Sequence, residues 1–96
     1  MQTIVVVPTY NEATNLGMLV PQILEQGDFG VLIVDDSSPD GTGQIGNRLR
    51  DIDPDRVDIL HRPRKLGQGR AYIAGFGRAL ATPARYIVGM DADFSH

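Results

Sequence analysis

The sequence has no cysteine. That removes any disulfide framework and any thiolate metal site, and it is compatible with a reducing compartment. It also lacks a long hydrophobic run. Met1-Gln2-Thr3 leads straight into Ile4-Val5-Val6-Val7 and then Pro8, too short for the apolar core of a secretory signal. No stretch reaches the roughly 20 apolar residues of a membrane-spanning helix. An excess of positive charge is missing too: 9 Lys and Arg stand against 12 Asp and Glu, a net charge of −3, so there is no electrostatic footprint for nucleic acid. Repeats, linkers and low-complexity segments are absent. Gly67-Gln68-Gly69 lacks the third glycine of a dinucleotide fingerprint, because position 72 is tyrosine. There is no nucleophile-elbow sequence for a serine triad, and the histidines, His61 and His96, are isolated.

What is present is the ordinary material of one small globular domain: 96 residues, 42% hydrophobic and 22% charged. Four short apolar runs rich in β-branched residues, Thr3 to Val7, Val31 to Val34, Arg56 to Leu60 and Arg85 to Gly89, predict buried strands. Three segments between them carry helical spacing. The first, about 13–25, puts Leu16, Leu19, Val20, Ile23 and Leu24 on one side, with Pro21 expected to kink or break it. The second, about 43–51, turns Ile45 and Leu49 inward, with Thr42 as N-cap. The third, about 68–81, turns Tyr72, Ile73, Phe76 and Leu80 inward, and its Gly69, Gly75 and Gly77 suit close approach to a sheet or a ligand. Strand–helix alternation of this kind predicts an α/β fold: a Rossmann-like parallel sheet with helices on both faces. With strand order 3-2-1-4, the first and fourth strands meet at the switch point, where ligands bind beyond the strands' carboxyl ends.

Every chemically rich segment follows a strand. The most telling is Met90-Asp91-Ala92-Asp93-Phe94-Ser95-His96. Strand side chains alternate faces, so Asp91 and Asp93 aim at one point, with only Ala92 between them. Two hard oxygen ligands suit Mg2+ or Mn2+ that also holds substrate phosphates, stabilising a diphosphate leaving group. After the first strand comes Pro8-Thr9-Tyr10-Asn11-Glu12. Tyr10 can stack on a base, and Glu12 can accept hydrogen bonds or favour a helix start. After the second come Asp35 and Asp36, on opposite sides by alternation; Asp36 is the one expected to meet ligand, Asp35 to serve structure. Ser38 to Thr42 reads mainly as a turn and helix start. The basic run His61-Arg62-Pro63-Arg64-Lys65 is either a solvated loop or a positive rim for phosphates.

Taken together, Val7 to Glu12, Val34 to Gly43, Lys65-Leu66-Gly67 with Ala71-Tyr72, and Met90 to His96 resemble the polyprenol-phosphate (dolichol-phosphate) mannose synthases, inverting nucleotide-sugar transferases with the GT-A fold. The resemblance covers essentially the whole chain, in order. It implies that residues 1–96 form the nucleotide-sugar-binding portion of a glycosyltransferase domain, with the acceptor half beyond. Related lipid-phosphate glucosyltransferases share the strand-end acids but carry Pro-Val-Tyr-Asn-Glu and Asp-Ala-Asp-Leu-Gln. This chain's Pro-Thr-Tyr-Asn-Glu and Asp-Ala-Asp-Phe-Ser-His favour the mannose branch.

By that resemblance Pro8, Tyr10 and Glu12 contact the nucleoside, and Val34 and Asp36 complete the pocket. Asp91, Ala92 and Asp93 lie against the diphosphate and sugar, and Asp91 and Asp93 hold the metal and serve catalysis. The implied partners are a GDP-mannose donor and a polyprenyl phosphate acceptor at a membrane surface, with no nucleic acid. The implied place is cytoplasmic and peripheral to a membrane. A bare edge on the fourth strand makes self-association an expectation. Two other readings stay open: a nucleotide-binding fragment without catalysis, and a UDP-glucose-dependent glucosyltransferase. The chain departs from the family's usual Gly-Leu-Gly-Thr, having Gly67-Gln68-Gly69-Arg70, which sets a cation at a helix start where the dipole disfavours it.

Overall fold

The structure is a computed structural model and describes residues 2–92, so Asp93 and His96 lie outside the described residues. Seven elements alternate: β1 (Thr3–Thr9), α1 (Ala13–Glu25), β2 (Phe29–Asp35), α2 (Thr42–Ile52), β3 (Val57–His61), α3 (Gln68–Leu80) and β4 (Tyr86–Gly89). All strand pairings are parallel, in the order β3-β2-β1-β4. This is the order the sequence predicts.

Alternation along the strands divides the core in two. Val5, Val7, Val31, Ile33, Val57 and Ile59 face one side and pack on Leu16, Leu19, Val20 and Ile23 of α1, with Ile45 and Leu49 of α2 closing that layer. Ile4, Val6, Leu32 and Val34 face the other side, where α3 covers them. Runs such as Ile4 to Val7 are buried on both faces, which is why they read as unbroken apolar strings.

α3 corrects the sequence reading. Its buried residues are Ala71, Gly75 and Ala79, whereas Ile73 and Leu80, expected inward, are 72% and 74% exposed. The spacing of four picks out a stripe of small residues, and that stripe lets the helix axis come close to the sheet. Tyr72 and Phe76 flank it, half-buried, with ring centroids 5.8 Å apart. Of the three glycines expected to serve close approach, only Gly75 does so. A Cβ there would meet Val6 Cγ1 at 2.4 Å and Val34 Cγ2 at 2.9 Å, while Gly69 and Gly77 have open space.

Two other expectations are corrected. α1 is not broken at Pro21 but continues through it. The Gly17 carbonyl that loses its partner there belongs to an exposed residue, so solvent can satisfy it. Thr42 is not the N-cap of α2. Gly41 holds that place with φ 92°, and Thr42 is the first helical residue, fully buried. Its hydroxyl is used elsewhere: it donates to Asp40 Oδ1 (2.5 Å) and accepts from the Glu12 N–H (3.0 Å).

Asp40 thus joins two helix starts, because its Oδ2 also accepts from the Ala13 N–H at 3.2 Å. The Thr42 hydroxyl is the main cause that holds the Asp40 carboxyl below its ordinary value; desolvation opposes it, and the backbone N–H groups of Ala13 and Thr42 add to it. A carboxyl with a lowered folded value stabilises the fold above its unfolded value and loses that contribution as pH falls through the folded one. Urea midpoints compared at about pH 5 and about pH 3 should therefore fall more for the wild-type chain than for Asp40→Asn.

Candidate functional site

The loops leaving the carboxyl ends of the strands are tied into one rim. Asn11 and Ser37, the first turns after β1 and β2, both adopt left-handed backbone, with φ 57° and 54°. The strain is held by cross-links: the Asn11 N–H donates to Ser38 Oγ (2.9 Å), and Ser37 Oγ donates to the Arg62 carbonyl (2.7 Å). Asp35 is spent on the same scaffold. Its carboxylate accepts from the hydroxyls of Thr9 (2.8 Å) and Ser38 (2.6 Å) and from the Ser38 N–H (3.2 Å).

Beside this scaffold lies an open cleft of about 200 Å³. Pro8, Tyr10, Glu12 and Asp36 all line it. The ends of β1 and β2 therefore deliver four of the sequence-predicted residues to one concavity, together with Lys65 from the β3–α3 connection and Gln68 at the start of α3. The Lys65 ammonium sits 4.4 Å from the centroid of the Tyr10 ring. Glu12 Oε2 accepts from Asn15 Nδ2 at 3.3 Å. Val34, by contrast, does not line the cleft: its side chain is fully buried in the layer under α3, and its carbonyl accepts from the Thr9 hydroxyl at 3.4 Å.

β4 brings its terminus to the same rim. β1 pairs with β4 as far as Val6 opposite Gly89, and the Met90 N–H donates to the Val6 carbonyl. Asp91 follows. Its Oδ1 accepts from Tyr72 Oη at 2.7 Å and from Gln68 Nε2. Gln68 is also a wall of the cleft, so Asp91 and the Tyr10–Asp36 pocket share that wall. Ala92 is buried against the α1 layer. A larger cavity, about 230 Å³, opens at the opposite end of the sheet beside Arg56 and Arg78 and contains none of the predicted residues.

The basic run divides. Arg62 is buried against Asp36, with Nε 3.3 Å from Oδ1, Lys65 enters the cleft, and His61 and Arg64 are exposed. His61 Nε2 is hydrogen-bonded to Asn47 Oδ1 at 2.8 Å. Sequence reasoning missed Gln68 and Tyr72 as holders of Asp91. Their signal is the spacing of four on one helix, which places both on the face toward β4.

Gly89 makes room for this arrangement, since a Cβ there would meet Tyr72 Cε1 at 2.5 Å. Tyr72→Phe removes one of the two bonds that orient Asp91 and should cost roughly 10–100-fold in affinity for a cation held there. Titration calorimetry with Mn2+ measures this; an unchanged affinity would contradict it.

Comparison with known proteins gives the family. The model of glycosyl transferase family 2 matches residues 4–96. The chain belongs to that family. A polyprenol monophosphomannose synthase of Mycolicibacterium smegmatis is 46% identical over 96 residues, 99% of this chain and 36% of that protein. An undecaprenyl-phosphate mannosyltransferase of Micrococcus luteus is 42% identical over 97 residues, 100% of this chain and 40% of that protein. The chain thus spans two fifths or less of these family members' length. Among solved structures, the mannosyltransferase PcManGT of Pyrobaculum calidifontis, in complex with GDP-Man and Mn2+, superposes with a TM-score of 0.79 at 26% identity, over 96% of this chain and 27% of that one. S. aureus TarS (residues 1–349) gives a TM-score of 0.79 at 24% identity, over 97% of this chain and 28% of that one, and shares the fold. The family's GT-A, Rossmann-like fold is the one the sequence predicts.

Proposed function

We propose that residues 1–96 form the donor-binding portion of a glycosyltransferase that moves mannose, with inversion, from GDP-mannose to a polyprenyl phosphate. The single observation that carries this reading is the shared rim: Pro8, Tyr10, Glu12 and Asp36 around one cleft whose wall, Gln68, bonds Asp91. The relatives named for lipid-phosphate mannosyl transfer, and the neighbour holding GDP-Man and Mn2+, support the same chemistry.

In this reading the Tyr10 ring stacks on the base, in exchange for the Lys65 ammonium that now covers it. Lys65, an exposed residue, then turns to the phosphates. Glu12 and Asp36 accept hydrogen bonds from the nucleoside. The acceptor phosphate is already ionised near neutral pH, so no strong base is needed for its attack on the sugar carbon opposite the departing diphosphate.

The residues also fit a divalent ion. Among the described residues no group of three or more His, Cys, Asp or Glu forms a closed metal cage. Asp91 is instead a lone hard-oxygen donor, with both hydrogen bonds on Oδ1. That suits Mg2+ or Mn2+, which take most of their ligands from water and substrate phosphates. Asp91, with Asp93, would hold it, and a cation there supplies neutralising charge to the leaving diphosphate. The acceptor lies at a membrane surface in this reading; no helix among the described residues is long and apolar enough to cross one.

Calorimetry with GDP, GDP-mannose and UDP-glucose, each with and without Mn2+, tests the proposal. Metal-dependent binding that prefers the guanosine ligands is expected. Preference for UDP-glucose would move the donor to that sugar nucleotide, and no binding of any of them would end the reading.

A further inference from the structure

Asp36 lines the cleft, yet its side chain is only 5% exposed, and the group behind it, Arg62, is 9% exposed. Taking a carboxylate out of water is costly unless an opposite charge and hydrogen bonds compensate. Here the compensation is unusual. Arg62 Nε lies 3.3 Å from Asp36 Oδ1, near enough to neutralise it, but among the described residues neither Asp36 Oδ1 nor Arg62 Nη1 has a hydrogen-bond partner. The other oxygen, Oδ2, accepts the Leu66 N–H, at 3.4 Å. Oδ1 is buried against Arg62, so the carboxylate is charge-balanced from behind, and Oδ2, with its one long bond, is the oxygen left for something that enters the cleft. Arg62 itself is fixed through its backbone: its N–H donates to the Asp35 carbonyl (2.8 Å), and its carbonyl accepts from Ser37 Oγ (2.7 Å). A diphosphate arriving near a buried, uncompensated carboxylate would be repelled, and Arg62 cancels that repulsion.

We infer that Arg62 is a positioning residue of the nucleoside pocket: it balances the Asp36 carboxylate from behind at Oδ1 and so turns Oδ2 to the cleft, without touching the ligand. The inference rests on the reading of the cleft as the donor site. Its ligand chemistry is an N–H or O–H donor of the nucleoside, which makes a charge-assisted bond to Oδ2.

The test is a double-mutant cycle on GDP affinity in the presence of Mn2+, with thermal unfolding followed in parallel. Asp36→Asn should weaken GDP by about 10-fold or more, the usual cost of a hydrogen bond to a charged group. Arg62→Met should weaken it by a similar factor, and Arg62→Lys, which keeps the charge, by less. In the Asp36→Asn background Arg62→Met should cost nothing further, because the carboxylate it serves is gone. A purely structural arginine would weaken binding equally in both backgrounds, and that result overturns the inference, as does a folded Arg62→Met that binds GDP within about twofold of wild type. If Arg62→Met alone does not fold, Arg62→Lys and the Asp36→Asn/Arg62→Met pair, which leaves no charge unpaired, carry the same comparison. Failure of the wild-type chain to bind GDP defeats the reading of the cleft itself and the inference with it, an outcome distinct from an unaffected Arg62 variant.

Discussion

Asp91→Asn is expected to abolish the Mn2+-dependent part of GDP binding, a loss of at least about 100-fold, while leaving metal-free binding and thermal stability nearly unchanged. The side chain keeps its shape. Tyr72 Oη and Gln68 Nε2 are both donors to Oδ1, so the asparagine carbonyl will settle against them. The amide NH2 is then left where the second carboxylate oxygen was, and it points a donor at the position a cation would take. A charge is lost and a repulsive dipole gained, yet no packing changes. Titration calorimetry with and without Mn2+ reads both halves of the expectation. If Asp91→Asn kept the metal dependence, the carboxylate would have to be removed from the donor site.

Gly75→Ala should be strongly damaging for a single added methyl, at roughly 2–3 kcal/mol net. The new Cβ would stand 2.4 Å from Val6 Cγ1 and 2.9 Å from Val34 Cγ2. Both valines are fully buried, Val6 at the middle of β1 and Val34 near the end of β2. They are β-branched, with little rotamer freedom, so the helix must back away from the sheet instead. Replacing a helical glycine by alanine normally gains up to about 1 kcal/mol, and the figure above already offsets that. Gly46→Ala is the matched control: its Cβ would meet Ile59 Cδ1 at 2.3 Å, but that atom is the end of a flexible side chain. It should be close to neutral. Urea midpoints decide the comparison. With a slope near 1 kcal/mol per molar for a small domain, Gly75→Ala should lower the midpoint by about 2 M. Equal midpoints for the two variants would show that α3 does not press on the valines.

The architecture was legible because its strands announce themselves. Strings such as Ile4 to Val7 and Val31 to Val34 are too short for helices and too apolar for loops, and each is followed by turn chemistry. From there the parallel order and the gathering of Tyr10, Glu12 and Asp36 follow by topology. What was not legible depends on local fit. Ile73 and Leu80 carry the strongest hydrophobic signal in α3, yet the small residues Ala71, Gly75 and Ala79 face the sheet, because closeness to the valines excludes anything larger. Thr42 is a good capping residue by type, but its hydroxyl finds Asp40 and the Glu12 N–H across 30 positions of chain. Arg62 looks like one more charge in a solvated run. Its burial comes from Asp36, 26 residues earlier, and no window along the sequence contains both.

β1 sits at the centre of the sheet, paired with β2 on one side and β4 on the other. Thr3 finds Phe29 across one helix, but it finds Tyr86 only after nearly the whole chain has been laid down. Closing so long a loop is slow and yields little until it is complete. The side of the rim that holds Tyr10 and Asp36, built from the β1, β2 and β3 loops, can therefore assemble first, and Asp91 arrives last, carried by the strand that completes the sheet. A pulse-labelled refolding experiment would see the amides around Tyr10 and Asp36 protected before the Met90 amide.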